Sequence, residues 1–431
     1  MSQESIQCDI AVVGGGPAGS AIAALLARKG HEVLLIEKDH HPRFHIGESL
    51  LPLTIPYLKQ LGVLDEVEQI GIRKYAAEFH SMYHRKSMSF DFSEAMDPDY
   101  PYAFEVRRSD FDALLFNQAK KSGALTREGC EAKDIHFDGD RITALSIMDE
   151  QGNSREVTAR FFVDATGRDT LLSKKRGWKE KNPRHASAAV YGHFENAKRN
   201  EGLAEGNISI YWFDYGWFWF IPLKDGQTSI GAVCHPSYMK TRNTSVEQFF
   251  LETIELCPDL EKRLREAQLV SPVTATGNYS YRSNRMYGDN YLLIGDAFTF
   301  IDPVFSSGVH LALNSAFSGA EAIDQSVKNP SNHNRIMRQL EREVSSGLSV
   351  FSWFIYRITT PAIRDLFMAP RNVWGVKSAI ISVLAGDLFR RTPIGTQIFI
   401  FKLIYWIKVM SAPRMALFAH RNRRKNMELS A

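Results

Sequence analysis

The chain runs to 431 residues, enough for two or three core-forming units. Hydrophobic residues make up 44% and charged residues 23%, the balance of a globular protein and not of a disordered or membrane-spanning one. A net charge of +3 gives no case for a nucleic-acid binder. Cys8, Cys130, Cys234 and Cys257 show neither C-x-x-C nor metal-type spacing, which points to a reducing, cytoplasmic setting and to no metal site. The stretch Met1–Cys8 is polar and carries no signal-peptide pattern.

Residues Cys8–Val13 form a short apolar run, followed by Gly14-Gly15-Gly16-Pro17-Ala18-Gly19 and an alanine-rich stretch ending near Gly30. A second apolar run, Glu32–Ile36, ends at Glu37. Strand, glycine turn, helix and strand, with an acid about 20 residues beyond the turn, is the order of a dinucleotide-binding βαβ unit. Gly14, Gly16 and Gly19 allow the tight turn, the approach of backbone to pyrophosphate, and close helix packing. Free N–H groups at the helix start meet the phosphates, and Glu37 accepts from ribose hydroxyls.

The middle of the chain changes character. Ala188–Phe194, Ile208–Phe213, Phe218–Leu223 and Gln227–Val233 are rich in β formers and are separated by turns such as Lys224-Asp225-Gly226. They predict a mixed or antiparallel sheet. Within it, Gly216 is followed by Trp217-Phe218-Trp219-Phe220-Ile221-Pro222, an alternation that by itself describes a half-buried strand. Tyr291–Ala297 returns to an apolar strand and a glycine turn. Asp302–His310 then precedes a helical stretch, Leu311–Ala320, and a Ser-Gly turn at a helix start makes a natural anion site.

From about Ser331 the pattern is mostly helical, with breaks at Pro361, Pro370, Pro393 and Pro413. Ile398–Met410 is interrupted by Lys402 and Lys408 and is too short to span a bilayer, which leaves only peripheral membrane contact open. Arg414, Arg421, Arg423, Arg424 and Lys425 meet no acid before Glu428. Such a run is either a solvated terminus or a surface for an acidic protein partner.

Several of these segments match a known pattern. Arg43-Phe44-His45-Ile46-Gly47-Glu48-Ser49-Leu50-Leu51-Pro52 resembles the P-R-x-x-x-G-E-S-L-L-P segment of flavin-dependent halogenases. Trp217–Pro222 resembles their W-x-W-x-I-P signature. Val163-Asp164-Ala165-Thr166-Gly167 is similar to the strand-turn that touches the cofactor in flavoprotein monooxygenases. Gly295-Asp296 resembles that class's G-D motif, and Asp302–Leu311 the D-P-x-F-S-x-G-V-H-L sequence of phenol and pyrrole halogenases.

The resemblance covers residues 8 to about 315 and implies an α/β fold of the p-hydroxybenzoate-hydroxylase-like class. That fold joins a Rossmann-type FAD-binding domain to an inserted β-sheet substrate domain and a helical C-terminal region. The implied layout is an FAD-binding domain over residues 1–186, of which residues about 80–100 join the substrate sheet. The substrate sheet then occupies 187–275, the FAD-binding return 276–330 and the helical region 331–431.

The same resemblance implies that FAD is held by Gly14, Gly16, Ala18, Gly19, Glu37, Arg43, Glu48, Ser49, Arg107, Asp164, Gly167, Gly295, Asp296 and Pro303. FADH2 from a separate flavin reductase would react with O2 to a flavin hydroperoxide. Chloride or bromide, held by the Ser307 and Gly308 amides, would attack its distal oxygen and form hypohalous acid. Trp217 and Trp219 would wall the flavin from the substrate.

Ile72–Phe79 resembles the family's lysine-containing strand and places Lys74 as the group that directs hypohalous acid, by hydrogen bonding or through a haloamine. Burial shifts a lysine toward its neutral form. Phe305 stands where tryptophan halogenases carry a Glu, which points to a phenol or pyrrole, free or tethered to an acyl or peptidyl carrier protein. The competing readings are an FAD-dependent aromatic monooxygenase or epoxidase, an isoprenoid-reducing flavoprotein, and an idle homologue serving as a docking subunit.

Overall fold

The computed structural model describes residues 5–277, 279–389, 392–413 and 421. The opening strand, Ser5–Val13, lies between Val33–Ile36 and Ser154–Asp164, parallel to both. Leu125–Arg127 extends the sheet beyond Val33–Ile36. On its other edge the long strand Ser154–Asp164 serves two further partners. Its first half pairs with the hairpin strand Arg141–Asp149, and its last residues pair in parallel with Tyr291–Leu293. Val33-Leu34-Leu35-Ile36 is fully buried, as a central parallel strand covered on both faces must be. Helix Pro17–Arg28 packs on this sheet against the helices Arg108–Lys121 and Ser307–Lys328.

A second sheet holds the tryptophan hexad at its centre. Gly216–Pro222 runs antiparallel to Ile208–Phe213 on one side and Thr228–Cys234 on the other, with Ala188–Glu195 beyond. Ala76–Ser81 adds in parallel to Ile208–Phe213 and carries Lys86–Asp91 at the edge. Residues 76–91 therefore leave the nucleotide-binding unit to complete this sheet.

The period of two along a strand sorts the hexad. Trp217, Trp219 and Ile221 fall in one apolar cluster, Phe218 and Phe220 in another. The phenylalanine face is covered by Val246–Glu255 and Pro258–Arg263. The tryptophan face shares its cluster with residues of His333–Ile355, Pro361–Met368, Val376–Leu384 and Gly395–Ser411. The helical C-terminal region thus closes over the tryptophan face. Among the described residues no helix is long and apolar enough to cross a membrane. Arg414, Arg423, Arg424 and Lys425 lie outside the described residues.

Candidate active site

A cavity of about 1410 Å3 runs from the glycine turn to the tryptophan strand. Of the residues expected to hold FAD, Gly14, Gly16, Ala18, Glu37, Arg43, Glu48, Ser49, Gly167, Asp296 and Pro303 line it. Trp217, Trp219 and Gly308 line it as well. Gly19 instead packs under the turn, where an added Cβ would lie 1.8 Å from the Gly14 carbonyl oxygen. Gly295 donates its N–H to Ser315 Oγ at 3.0 Å, behind the wall.

Two expected positions sit elsewhere. Arg107 faces the substrate sheet, its Nε donating to Asp225 at 2.9 Å. Its neighbour Arg108, the first residue of its helix, lines the cavity and is buried. Adjacent side chains at a helix start point in different directions, so Arg108 faces the cavity and Arg107 does not. The i,i+4 spacing of Arg108 and Asp112 was the available signal. Asp164 does not line the cavity. Its carboxylate accepts Thr166 N–H at 3.0 Å, Thr166 Oγ1 at 2.6 Å and Leu172 N–H at 2.8 Å. It holds the turn whose Ala165, Thr166 and Gly167 form the wall.

The residues present fit an FAD. Helix Pro17–Arg28 starts at Gly16 with no side-chain cap, so its first N–H groups are open to phosphate. Glu37 is fixed by Gly15 N–H at 2.7 Å and Asp39 N–H at 3.0 Å. Arg43 lies beside Gly16, and its Nε is buried without a hydrogen-bond partner, as is Glu48 Oε2. A dinucleotide gives orphaned polar atoms of this kind something to bind.

Burial pushes Asp296 up to about 6, against the pull of Arg108 and Arg168. The folded protein then holds this proton to higher pH than the unfolded chain. Stability present below the unfolded value is lost as pH rises through about 6. Asp296 keeps some solvent contact, which trims the effect. In cofactor-free protein, Asp296→Asn should match wild type at pH 4 and gain about 2 kcal/mol at pH 8. Urea unfolding at the two pH values measures this; an equal change at both would rule it out.

Lys74 ends the strand Gly71–Lys74 and is 1% exposed. Its Nζ donates to Ser49 Oγ at 2.5 Å and lies 3.6 Å from Glu105 Oε1. Ser306 Oγ donates to the same Ser49 oxygen at 3.0 Å. Ser306 lines both the large cavity and a small adjoining one, where Lys74 sits with Phe79, Phe92 and Phe305. Burial lowers Lys74 below the ordinary lysine value, and Glu105 opposes the shift. Nothing in the sequence placed Ser306 or Glu105 beside the lysine.

Trp219 is held by Nε1 donating to Ser229 Oγ at 3.1 Å. Its indole lies over Gly231 on the neighbouring strand, where a Cβ would come within 2.2 Å of the ring. The turn expected to hold halide is fixed by Asp302. One carboxylate oxygen accepts Val304 N–H at 3.1 Å; the other lies 2.8 Å from both Ser187 Oγ and His185 Nε2. Ser306 then adopts a left-handed conformation, φ 55°, and the helix Ser307–Lys328 starts without a side-chain cap. Gly308 faces the cavity, whereas the Ser307 side chain is buried outside it.

The FAD binding domain family matches residues 7–332. A 1H-pyrrole-2-carbonyl peptidyl-carrier-protein chlorinase of Pseudomonas fluorescens is 30% identical over 406 residues, spanning 88% of this chain and 89% of that protein. A tryptophan 2-halogenase of Chondromyces crocatus is 36% identical over 322 residues, 73% of this chain and 60% of the relative. The solved structure of the myxobacterial chondrochloren halogenase CndH superposes with a TM-score of 0.79 at 30% identity, covering 94% of this chain and 97% of that one. Cavity, fold and relatives agree: the chain belongs to the flavin-dependent halogenases, FAD-dependent oxidoreductases built on the p-hydroxybenzoate-hydroxylase-like fold.

Proposed function

We propose that this halogenase acts on a phenol or pyrrole, free or carrier-tethered, through Lys74, with reduced flavin delivered by a separate reductase. Bound reduced FAD, with O2, supplies the oxidising equivalents that turn chloride or bromide into hypohalous acid. The observation that carries the reading is the line Ser306–Ser49–Lys74, which joins the cavity wall to a buried amine through two hydroxyls.

The chain's own residues do the rest. Amides at the start of helix Ser307–Lys328, Gly308 among them, face an anion with aligned dipoles. Trp217 and Trp219 form a rigid wall that excludes water and keeps the flavin side apart from the substrate side. Beyond it Lys74 offers one compact donor in an aromatic enclosure. Phe305 lines that enclosure and brings no carboxylate, which favours a ring activated by its own heteroatom.

The test is a panel of phenols, pyrroles and tryptophan, free and loaded on a carrier protein, incubated with FAD, a flavin reductase, NADH and chloride or bromide. A halide-dependent mass shift on a phenol or pyrrole is expected. An oxygenated product regardless of halide would favour a monooxygenase, and rapid NAD(P)H consumption without reductase would end the two-component reading.

A further inference from the structure

Outside the tryptophan wall, a carboxylate, Glu105, lies fully buried beside the lysine. Glu105 is 0% exposed and makes no close hydrogen bond, its polar neighbours being Ser49 and the Lys74 amine. A buried, unpaired carboxylate is costly, so its position demands a counter-group. Strand geometry supplies one. Gly71–Lys74 pairs antiparallel with Ala103–Val106, with Lys74 opposite Ala103 and Ile72 opposite Glu105. Glu105 is therefore the diagonal neighbour of Lys74 on the same face, within reach of a long side chain.

The segment carrying Ser49 lies along the other edge of Ala103–Val106. Leu50 N–H donates to Phe104 O at 2.9 Å, and Val106 N–H to Glu48 O at 2.8 Å. Three pieces of chain thus converge on one point, and Lys74 Nζ, Ser49 Oγ and Glu105 Oε1 meet there.

We infer that Glu105 is the positioning residue of Lys74 and holds the proton that the lysine gives up. This rests on the role proposed above for Lys74. Charge balance supports it. Moving one proton from Nζ to a Glu105 oxygen turns an ammonium–carboxylate pair into an amine–acid pair, with no net change of charge in the enclosure. Burial drives both partners toward those neutral forms, Lys74 downward and Glu105 up to about 8. The other ionisable groups near Glu105 are Glu48, whose Oε1 lies 2.9 Å from His193 Nε2, and that histidine. Glu48 is engaged by His193, which leaves Lys74 as the cation for Glu105. Freed of its proton, the amine becomes an acceptor toward hypohalous acid, while Ser49 keeps Nζ aimed.

Two measurements test this. The first is a double-mutant cycle on the unfolding of cofactor-free protein, with Lys74→Met, Glu105→Gln and both together. Coupled residues make the double variant less destabilised than the sum of the singles, and additive effects overturn the pairing. The second follows halogenated product per reduced flavin consumed across pH, on whichever panel phenol or pyrrole the wild type halogenates. Glu105→Gln should lower that ratio about ten- to a hundredfold, by misplacing Nζ. It should also move the amine-dependent limb to lower pH, because the ammonium loses its counter-charge. A coupled cycle with an unchanged ratio and profile would make the pair structural only and overturn the inference. Retained halogenation by Lys74→Met would overturn the reading of the lysine itself, a distinct failure.

Discussion

Replacing Lys74 by alanine should abolish halogenated product while the protein goes on oxidising reduced flavin. Lys74 and Ser306 are the polar residues among the described ones lining a small enclosure otherwise made by Phe79, Phe92, Phe305 and aliphatic side chains. Removing Lys74 leaves hypohalous acid without a directing amine, and losses of about 10²- to 10⁴-fold are typical when a positioned proton-transfer group is deleted. Lys74→Arg should fail to rescue, because guanidinium stays protonated and is too broad for a site that leaves Nζ 2.5 Å from Ser49 Oγ. FAD titration should be unchanged in both variants, since Lys74 does not line the large cavity. The quantity to follow is product per flavin oxidised. If Lys74→Ala keeps more than about a tenth of the wild-type ratio, the lysine does not direct the reaction.

The largest effect on folding is expected at Asp112, a fully buried residue. Its two oxygens accept Arg108 Nε at 2.8 Å and Arg108 Nη2 at 3.0 Å, and Arg43 Nη1 approaches at 3.4 Å. Arg108 also donates to the Ile46 carbonyl at 3.0 Å, so the carboxylate ties the helix Arg108–Lys121 to the segment that leads into Glu48 and Ser49. Asp112→Ala takes the ion-pair partner from the buried Arg108 guanidinium, while Arg43 keeps Glu37. Breaking one side of a buried pair typically costs about 3–5 kcal/mol. FAD affinity should fall with it, because Arg43 and Arg108 both face the cavity. Denaturant unfolding and FAD titration of the same preparation give both numbers. A loss under about 1 kcal/mol would show that the pair is solvated.

The βαβ unit was legible because each part of it is local. An apolar run, glycines at 14, 16 and 19, an alanine-rich helix and Glu37 all fall within one short stretch, and backbone sterics leave that stretch few other uses. The four central strands around the tryptophan hexad were legible for the same reason, through β-former runs cut by turns. Residue-level offsets were not. Arg107 and Arg108 have identical chemistry, and only the helix start decides which one faces the cavity. Asp164 sits in the expected turn, yet its hydrogen bonds run to Thr166 and Leu172 within that turn.

What the sequence determined by itself is the nucleotide unit, the aromatic strand and the family to which they point. Those depend on order and spacing over short distances. What only the tertiary structure decided is the meeting of side chains remote in the chain. Ser49, Lys74, Glu105 and Ser306 span 257 positions from first to last, yet they share one hydroxyl-linked cluster. No periodicity encodes such a meeting. It arises because Gly71–Lys74 pairs with Ala103–Val106, because Ser49 lies along that second strand, and because a left-handed turn at Ser306 points a hydroxyl back toward it. The hexad named a halogenase; the packing around Lys74 shows how the amine is held.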